Sequence, residues 1–130
     1  MAASELKRIY YVEDEPDIQA VAQLALEAIG GFSVGIASSG QEALDKAAAF
    51  APDLILLDVM MPGMDGPTTL KKLRDIPALA QTPIIFMTAK VQPQEVAEYQ
   101  SLGAIDVIAK PFDPMSLADT VRQKWTTARG

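Results

Sequence analysis

The sequence places charged or hydroxyl-bearing side chains directly after four of its short apolar runs. The first of these runs is followed by three acids and the others by a fourth acid, a threonine and a lysine: Glu13-Asp14-Glu15, Asp58, Thr88 and Lys110. Two carboxylates about 4 Å apart repel by roughly 4 kcal/mol at an effective dielectric of about 20, so such a cluster needs a cation or raised pKa values. One lysine cannot neutralise three acids, whereas Mg²⁺ prefers carboxylate, water and phosphate oxygens. These residue types therefore predict a magnesium site that accepts a phosphoryl group.

The elements that must position these side chains follow from hydrophobic periodicity. Apolar runs at 9–12, 32–36, 54–57, 84–87 and 107–109 predict five strands, and apolar residues at helical spacing after each run predict five helices. Strands that are apolar on both faces and separated by helices form a parallel sheet with right-handed crossovers. The predicted fold is α/β: a five-stranded parallel sheet, doubly wound as (βα)5, in a three-layer sandwich. Ligands bind beyond the carboxyl ends of such strands, where the charged residues fall.

Local boundary signals agree with these elements. Pro16 suits the first turn of a helix. Ser39 and Glu42 have the spacing of a capping box. Asp113-Pro114 predicts a cap before a proline in the first turn of the last helix.

Composition bounds the functional classes. The chain has 130 residues, 49% of them hydrophobic, and a net charge of −6, which predicts one domain, taken as 5–128, and disfavours nucleic-acid binding by this domain. Histidine and cysteine are both absent, so disulfides, Cys/His zinc sites and Ser-His-Asp triads are excluded. No export signal or membrane span is visible, and a cytoplasmic location is expected.

Four segments resemble the receiver domain of bacterial two-component response regulators, and the resemblance covers nearly the whole chain. The segments are YVEDEP at 11–16, LLDVMMPGMDG at 56–66, MTA at 87–89 and KPF at 110–112. The resemblance implies a flavodoxin-like fold. It also implies a phosphoacceptor signalling switch of a two-component phosphorelay.

The resemblance assigns roles around the metal. Asp58 is implied to be the phosphoacceptor, whose carboxylate attacks phosphorus in a phosphohistidine. Asp14 and Asp58 would bind Mg²⁺ directly, together with the backbone carbonyl of Met60. Glu13 stands where the family more often has aspartate, and it would act mainly through water.

Further roles concern the switch. Lys110 would pair with a phosphoryl oxygen, and Thr88 would donate its hydroxyl to another. The Lys110–Pro111 bond is expected to be cis. Val107 stands where many family members carry an aromatic ring that rotates inward to alter the face formed by the fourth helix, fifth strand and fifth helix, and valine has no such ring. For Tyr99, at helical spacing, we expect a packing role.

The resemblance also implies partners. Because the chain lacks histidine, the phosphoryl donor is expected to be a separate protein, either a sensor histidine kinase or a histidine phosphotransfer protein. The expected output is contact with a downstream protein target. No membrane partner is expected. The chain would not be an enzyme beyond self-catalysed phosphoacceptance and autodephosphorylation. It fits either a single-domain regulator or the receiver portion of a longer regulator with an output domain.

The sequence disfavours two other functional classes. A Mg²⁺-dependent aspartyl phosphatase of the haloacid-dehalogenase kind needs a second acid two residues after the nucleophile, where this chain has Met60. A flavodoxin-like FMN carrier needs a phosphate loop rich in Ser, Thr and Gly after the first strand, where Glu13-Asp14-Glu15 would repel the phosphate. Both the phosphatase and the FMN-carrier hypotheses are therefore disfavoured.

Overall fold

A computed structural model describes residues 5–129 of the chain. Within that range the strands are β1 Arg8–Val12, β2 Ser33–Ala37, β3 Leu54–Asp58, β4 Ile84–Thr88 and β5 Asp106–Ala109. The helices are α1 Pro16–Leu24, α2 Gly40–Phe50, α3 Gly66–Arg74, α4 Pro93–Ser101 and α5 Leu117–Arg129. A π-helical segment, Ala25–Ile29, continues α1, and a 3₁₀ turn, Pro77–Leu79, precedes β4. Each predicted strand and helix is confirmed, and no strand end moves by more than one residue.

The strands form one parallel sheet in the order β2-β1-β3-β4-β5. The order reverses between β1 and β3, so a crevice opens where these two strands end side by side. Val12 pairs with Leu57 in the register of β1 and β3. Glu13 and Asp58, the next residues along the two strands, therefore lie next to each other at the mouth of the crevice.

Two apolar layers cover the sheet, as the predicted doubly wound fold requires. On β1, Ile9 and Tyr11 pack into the layer that includes α1 and α5. Tyr10 and Val12 pack into the opposite layer with α2 and α3. The central strand β3 is buried along its whole length, which explains why its residues read as a continuous apolar run rather than an alternation.

Of the three predicted helix starts, the one at Pro16 is confirmed, the capping box at Ser39 is confirmed in part, and the cap at Asp113 is wrong. Pro16 begins α1, and Ser39 Oγ accepts a hydrogen bond from the Glu42 amide at 3.0 Å. The Glu42 carboxylate, however, accepts from the Ser38 amide at 2.8 Å instead of from Ser39.

The predicted cap at Asp113 is misplaced. Its carboxylate and carbonyl accept from the amides of Met115 and Ser116, each at 3.1 Å. These bonds close a separate turn, so α5 begins only at Leu117.

Two further features of the chain are settled by the backbone. The Lys110–Pro111 peptide bond is cis, as predicted. Among the helices of residues 5–129, none has the length and apolar character needed to cross a membrane.

Candidate functional site

Three carboxylates converge at the crevice between β1 and β3. Glu13 and Asp58 are buried, with 0% and 3% of their surface exposed, and Asp14 is half-buried. One oxygen from each of these three side chains lies within 4.8 Å of the other two. Glu15, the last of the acidic triplet, is exposed and lies outside this group. We call the space bounded by Glu13, Asp14, Asp58 and Lys110 the acidic crevice.

Lys110 reaches the acidic crevice from the end of β5. Its Nζ atom lies 2.8 Å from Glu13 Oε1 and 3.2 Å from Asp58 Oδ1. Its backbone amide donates to the Thr88 carbonyl at 3.0 Å, which fixes the start of the side chain beside β4. One ammonium group therefore bridges two buried carboxylates, and a negative charge is left uncompensated.

The surplus charge perturbs the protonation of the crevice. Burial, followed by the charge of the Glu13 carboxylate, raises the pKa of Asp58 from its ordinary 3.8 to about 6, and Lys110 and the Met60 amide offset only part of this rise. For Lys110, burial lowers the pKa, but hydrogen bonds and charge from Glu13 and Asp58 outweigh it and leave the pKa raised. The lysine is therefore charged at neutral pH. Asp58 pays an electrostatic penalty for ionisation that a bound cation would relieve.

Thr88 ends β4, the strand next to β3. Met87, the residue before Thr88, pairs in register with Asp58. Thr88 therefore lies at the same carboxyl-terminal end of the sheet as Asp58. Its Oγ1 accepts a hydrogen bond from the Lys90 amide at 3.1 Å, and the hydroxyl still has a proton to donate. The predicted neighbours Asp58, Thr88 and Lys110 are thus brought to one place.

The loop after β3 closes tightly around Asp58. A Cβ atom on Gly66 would lie 2.6 Å from the Asp58 carbonyl oxygen and 2.8 Å from Val59 Cα. Because both atoms are backbone, only glycine fits there. The Met60 amide contacts the Asp58 carboxylate, while the Met60 side chain is 77% exposed. Its carbonyl as a metal ligand stays a prediction.

Comparison with known proteins decides the family. The family described as the response regulator receiver domain matches residues 9–122. The chain belongs to this receiver family. It is therefore a receiver domain of the two-component type.

Individual relatives of this receiver domain are mostly longer proteins. The uncharacterized transcriptional regulatory protein YkoG of Bacillus subtilis is 41% identical over 118 residues, which are 91% of this chain and 50% of YkoG. The alkaline phosphatase synthesis transcriptional regulatory protein PhoP of Bacillus subtilis is 40% identical over 116 residues, 89% of this chain and 47% of PhoP. The chain thus spans about half the length of these curated relatives.

A solved structure matches most of this chain and nearly all of its own length. The chemotaxis response regulator CheY4 of Vibrio cholerae superposes with a TM-score of 0.83 at 31% identity. The match covers 92% of this chain and 99% of the CheY4 chain. It confirms the predicted flavodoxin-like, five-stranded parallel fold.

Val107 of β5 and Tyr99 of α4 both pack beside Phe86 of β4. Val107 is buried and pairs in register with Phe86. The Tyr99 ring of α4 packs edge-on against Phe86, with 5.1 Å between centroids and 63° between planes. Tyr99 therefore has the packing role expected of it.

Sequence reasoning missed Tyr11 as part of the site. The side chain is fully buried in β1, and its hydroxyl donates to Glu13 Oε1 at 3.2 Å. Alternation along β1 is the signal that could have found it, since Tyr11 and Glu13 lie two residues apart and share a face of the strand.

The donor set of the acidic crevice fits a hard divalent cation. Three carboxylates within 4.8 Å of one another supply oxygen ligands, and no Cys or His in the chain offers softer ones. The three carboxylates and the one ammonium group of Lys110 leave a net charge of −2 in the crevice, which the two positive charges of Mg²⁺ would balance.

Proposed function

We propose that this receiver domain is a phosphoacceptor switch that accepts a phosphoryl group on Asp58 from a phosphohistidine of a separate protein. The observation that carries the proposal is the pairing of the buried Asp58 carboxylate with Lys110 at 3.2 Å inside a three-carboxylate cluster. An Asp58 oxygen attacks phosphorus as the bond between phosphorus and the imidazole nitrogen breaks. The histidine leaves with the electron pair, and Asp58 becomes an acyl phosphate.

The proposed metal is Mg²⁺, bound by Asp14, Asp58 and the Met60 carbonyl, with Glu13 acting through water. When bound, Mg²⁺ neutralises carboxylate and phosphoryl oxygens and aligns them for in-line transfer. The raised pKa of Asp58 supports this assignment, because a buried carboxylate beside Glu13 gains most from a nearby cation.

Lys110 and Thr88 complete the proposed site from β5 and β4. The Lys110 ammonium already touches Asp58, so a small rotation would bring it to an oxygen of a phosphoryl group carried by that residue. The Thr88 hydroxyl would donate to a second phosphoryl oxygen. Movement of Thr88 toward the modified Asp58 is the proposed switch.

The proposed donor is a sensor histidine kinase or a histidine phosphotransfer protein in the cytoplasm. The proposed output is contact with a downstream protein, since the net charge of −6 disfavours direct binding to nucleic acid. We propose no catalysis beyond self-catalysed phosphoacceptance and autodephosphorylation. Relatives named as transcriptional regulators and the chemotaxis regulator CheY4 both support a signalling role.

The test is phosphorylation by a small-molecule phosphodonor, with and without Mg²⁺, followed by intact-mass measurement. We expect one phosphoryl group to be added only when the metal is present. Asp58→Asn should abolish the addition. Asp45→Asn, which removes an exposed carboxylate on α2, is the matched control and should label like the unmodified protein. Equal labelling of Asp58→Asn and the unmodified protein would remove Asp58 from this role.

A further inference from the structure

Tyr11 presents a polar group to the acidic crevice from inside the core. The side chain has no exposed surface and packs among Ile9 and other residues of the layer that includes α1 and α5. Its hydroxyl donates to Glu13 Oε1 at 3.2 Å. Burial, followed by the charge of Glu13, raises the pKa of this phenol. It therefore remains a proton donor throughout the neutral pH range.

Within residues 5–129, three donors hold the Glu13 carboxylate, and they differ in how firmly they are fixed. The Glu15 amide donates to Oε2 at 3.2 Å. Lys110 Nζ donates to Glu13 Oε1 at 2.8 Å, the same oxygen that accepts from the Tyr11 hydroxyl. The ammonium ends a flexible four-carbon stem and also contacts Asp58, whereas the phenol is rigid and locked in β1.

If the proposed function holds, phosphorylation removes one of the two donors to Glu13 Oε1 and leaves the other in place. When Lys110 turns to a phosphoryl oxygen on Asp58, Glu13 loses the ammonium. Tyr11 is then the remaining side chain that holds Oε1 among the contacts seen in residues 5–129.

The contact depends on the length of Glu13. An aspartate at this position would end one carbon–carbon bond, about 1.5 Å, earlier. A contact already at 3.2 Å would then exceed the hydrogen-bonding range. Tyr11 and Glu13 therefore function as a matched pair.

We propose that Tyr11 is a positioning residue that holds the Glu13 carboxylate at the metal side of the acidic crevice and thereby raises the affinity of the site for Mg²⁺. The inference rests on the proposed function, because it assumes that Mg²⁺ binds beside Asp58. Partners that orient a group at a metal site typically contribute 10-fold to 100-fold to metal affinity. Since Glu13 is expected to act through water, the lower end of that range applies.

The experiment is a double-mutant cycle on Mg²⁺ affinity, measured by calorimetric titration of the metal into unphosphorylated protein. Tyr11→Phe should weaken binding about tenfold in the otherwise unchanged chain. In the Glu13→Asp background the same substitution should change affinity by less than about twofold, because the shorter acid cannot reach the phenol. Tyr10→Phe is the matched control, since its buried hydroxyl lies in the opposite layer and should leave affinity unchanged.

Two outcomes would overturn the inference. One is a Tyr11→Phe variant that binds Mg²⁺ as tightly as the unmodified protein. The other is an equal loss in both backgrounds, which would mean that Tyr11 acts on the strand as a whole. If the unmodified protein itself binds no Mg²⁺, the proposed function fails instead, so the two failures are distinguishable.

A second measurement does not require Tyr11→Phe to fold. The chain has three tyrosines, and Tyr10→Phe and Tyr99→Phe identify the other two Cζ signals in a carbon-13 NMR spectrum. Glu13→Gln, which neutralises the acceptor, should shift the Tyr11 signal and leave the other two in place. A Tyr11 signal that does not respond would contradict the contact.

Discussion

Asp58→Asn is expected to stabilise the metal-free protein at neutral pH. The folded protein raises the pKa of Asp58 from 3.8 to about 6, mainly through burial and then through Glu13. A shift of about two units corresponds to roughly 3 kcal/mol of unfavourable ionisation. Asparagine carries no charge and can still accept from the Met60 amide. Because it weakens the contact with Lys110, the expected net gain in the free energy of unfolding is about 1 to 3 kcal/mol.

The sign of the pH dependence is fixed by the raised pKa. Between about pH 4 and pH 6 the folded protein holds a proton on Asp58 that the unfolded chain has lost, so stability falls as pH rises through this window. Below about pH 4 the carboxyl is protonated in both states and the penalty vanishes. The advantage of Asp58→Asn should therefore be near zero at about pH 4 and complete above about pH 7.

Urea unfolding followed by the fluorescence of Trp125, the one tryptophan in the chain, measures this difference. The protein is held in chelator across the pH range, and Asp45→Asn on the surface of α2 serves as the control. Added Mg²⁺ should stabilise the unmodified protein and not Asp58→Asn, because only the former keeps the full ligand set. A pH-independent difference, or a variant that is less stable at neutral pH, would refute the electrostatic reasoning.

Three further substitutions test separate parts of the structure. Lys110→Ala should leave the Mg²⁺ affinity measured by calorimetry within a few-fold of that of the unmodified protein. It should weaken the spectroscopic change that phosphorylation of Asp58 produces. A variant that fails to fold would show instead that the lysine has a structural role. Tyr10→Phe removes a buried hydroxyl that has no hydrogen-bond partner among the described residues, so urea unfolding should show unchanged stability or a gain of up to about 1 kcal/mol, and a loss of that size would contradict the assignment. Tyr99→Leu should cost about 0.5 to 1.5 kcal/mol through the lost edge-to-face contact with Phe86, and that cost should disappear in a Phe86→Leu background.

Local pattern was enough for the fold because the strands and helices obey simple periodicity. The run at 54–57 is apolar at each position since β3 is covered on both faces, and that burial distinguishes a parallel sheet from an antiparallel one. Pattern was not enough at the start of α5. Asp113 and Pro114 carry an ordinary cap signal, but the turn closed by Met115 and Ser116 competes with the helix and delays it.

The gathering of Glu13, Asp14, Asp58, Thr88 and Lys110 at one edge was determined by the sequence alone, since parallel strands bring their carboxyl ends together whatever the details of packing. The tertiary structure decided which groups touch. Lys110 divides its charge between Glu13 and Asp58, and Tyr11 donates to Glu13, through contacts of 3.2 Å or less. Hydrogen bonds and pKa shifts depend on distance and burial in three dimensions. A tyrosine inside an apolar strand therefore looks like any other core residue until the fold places its hydroxyl beside an acid.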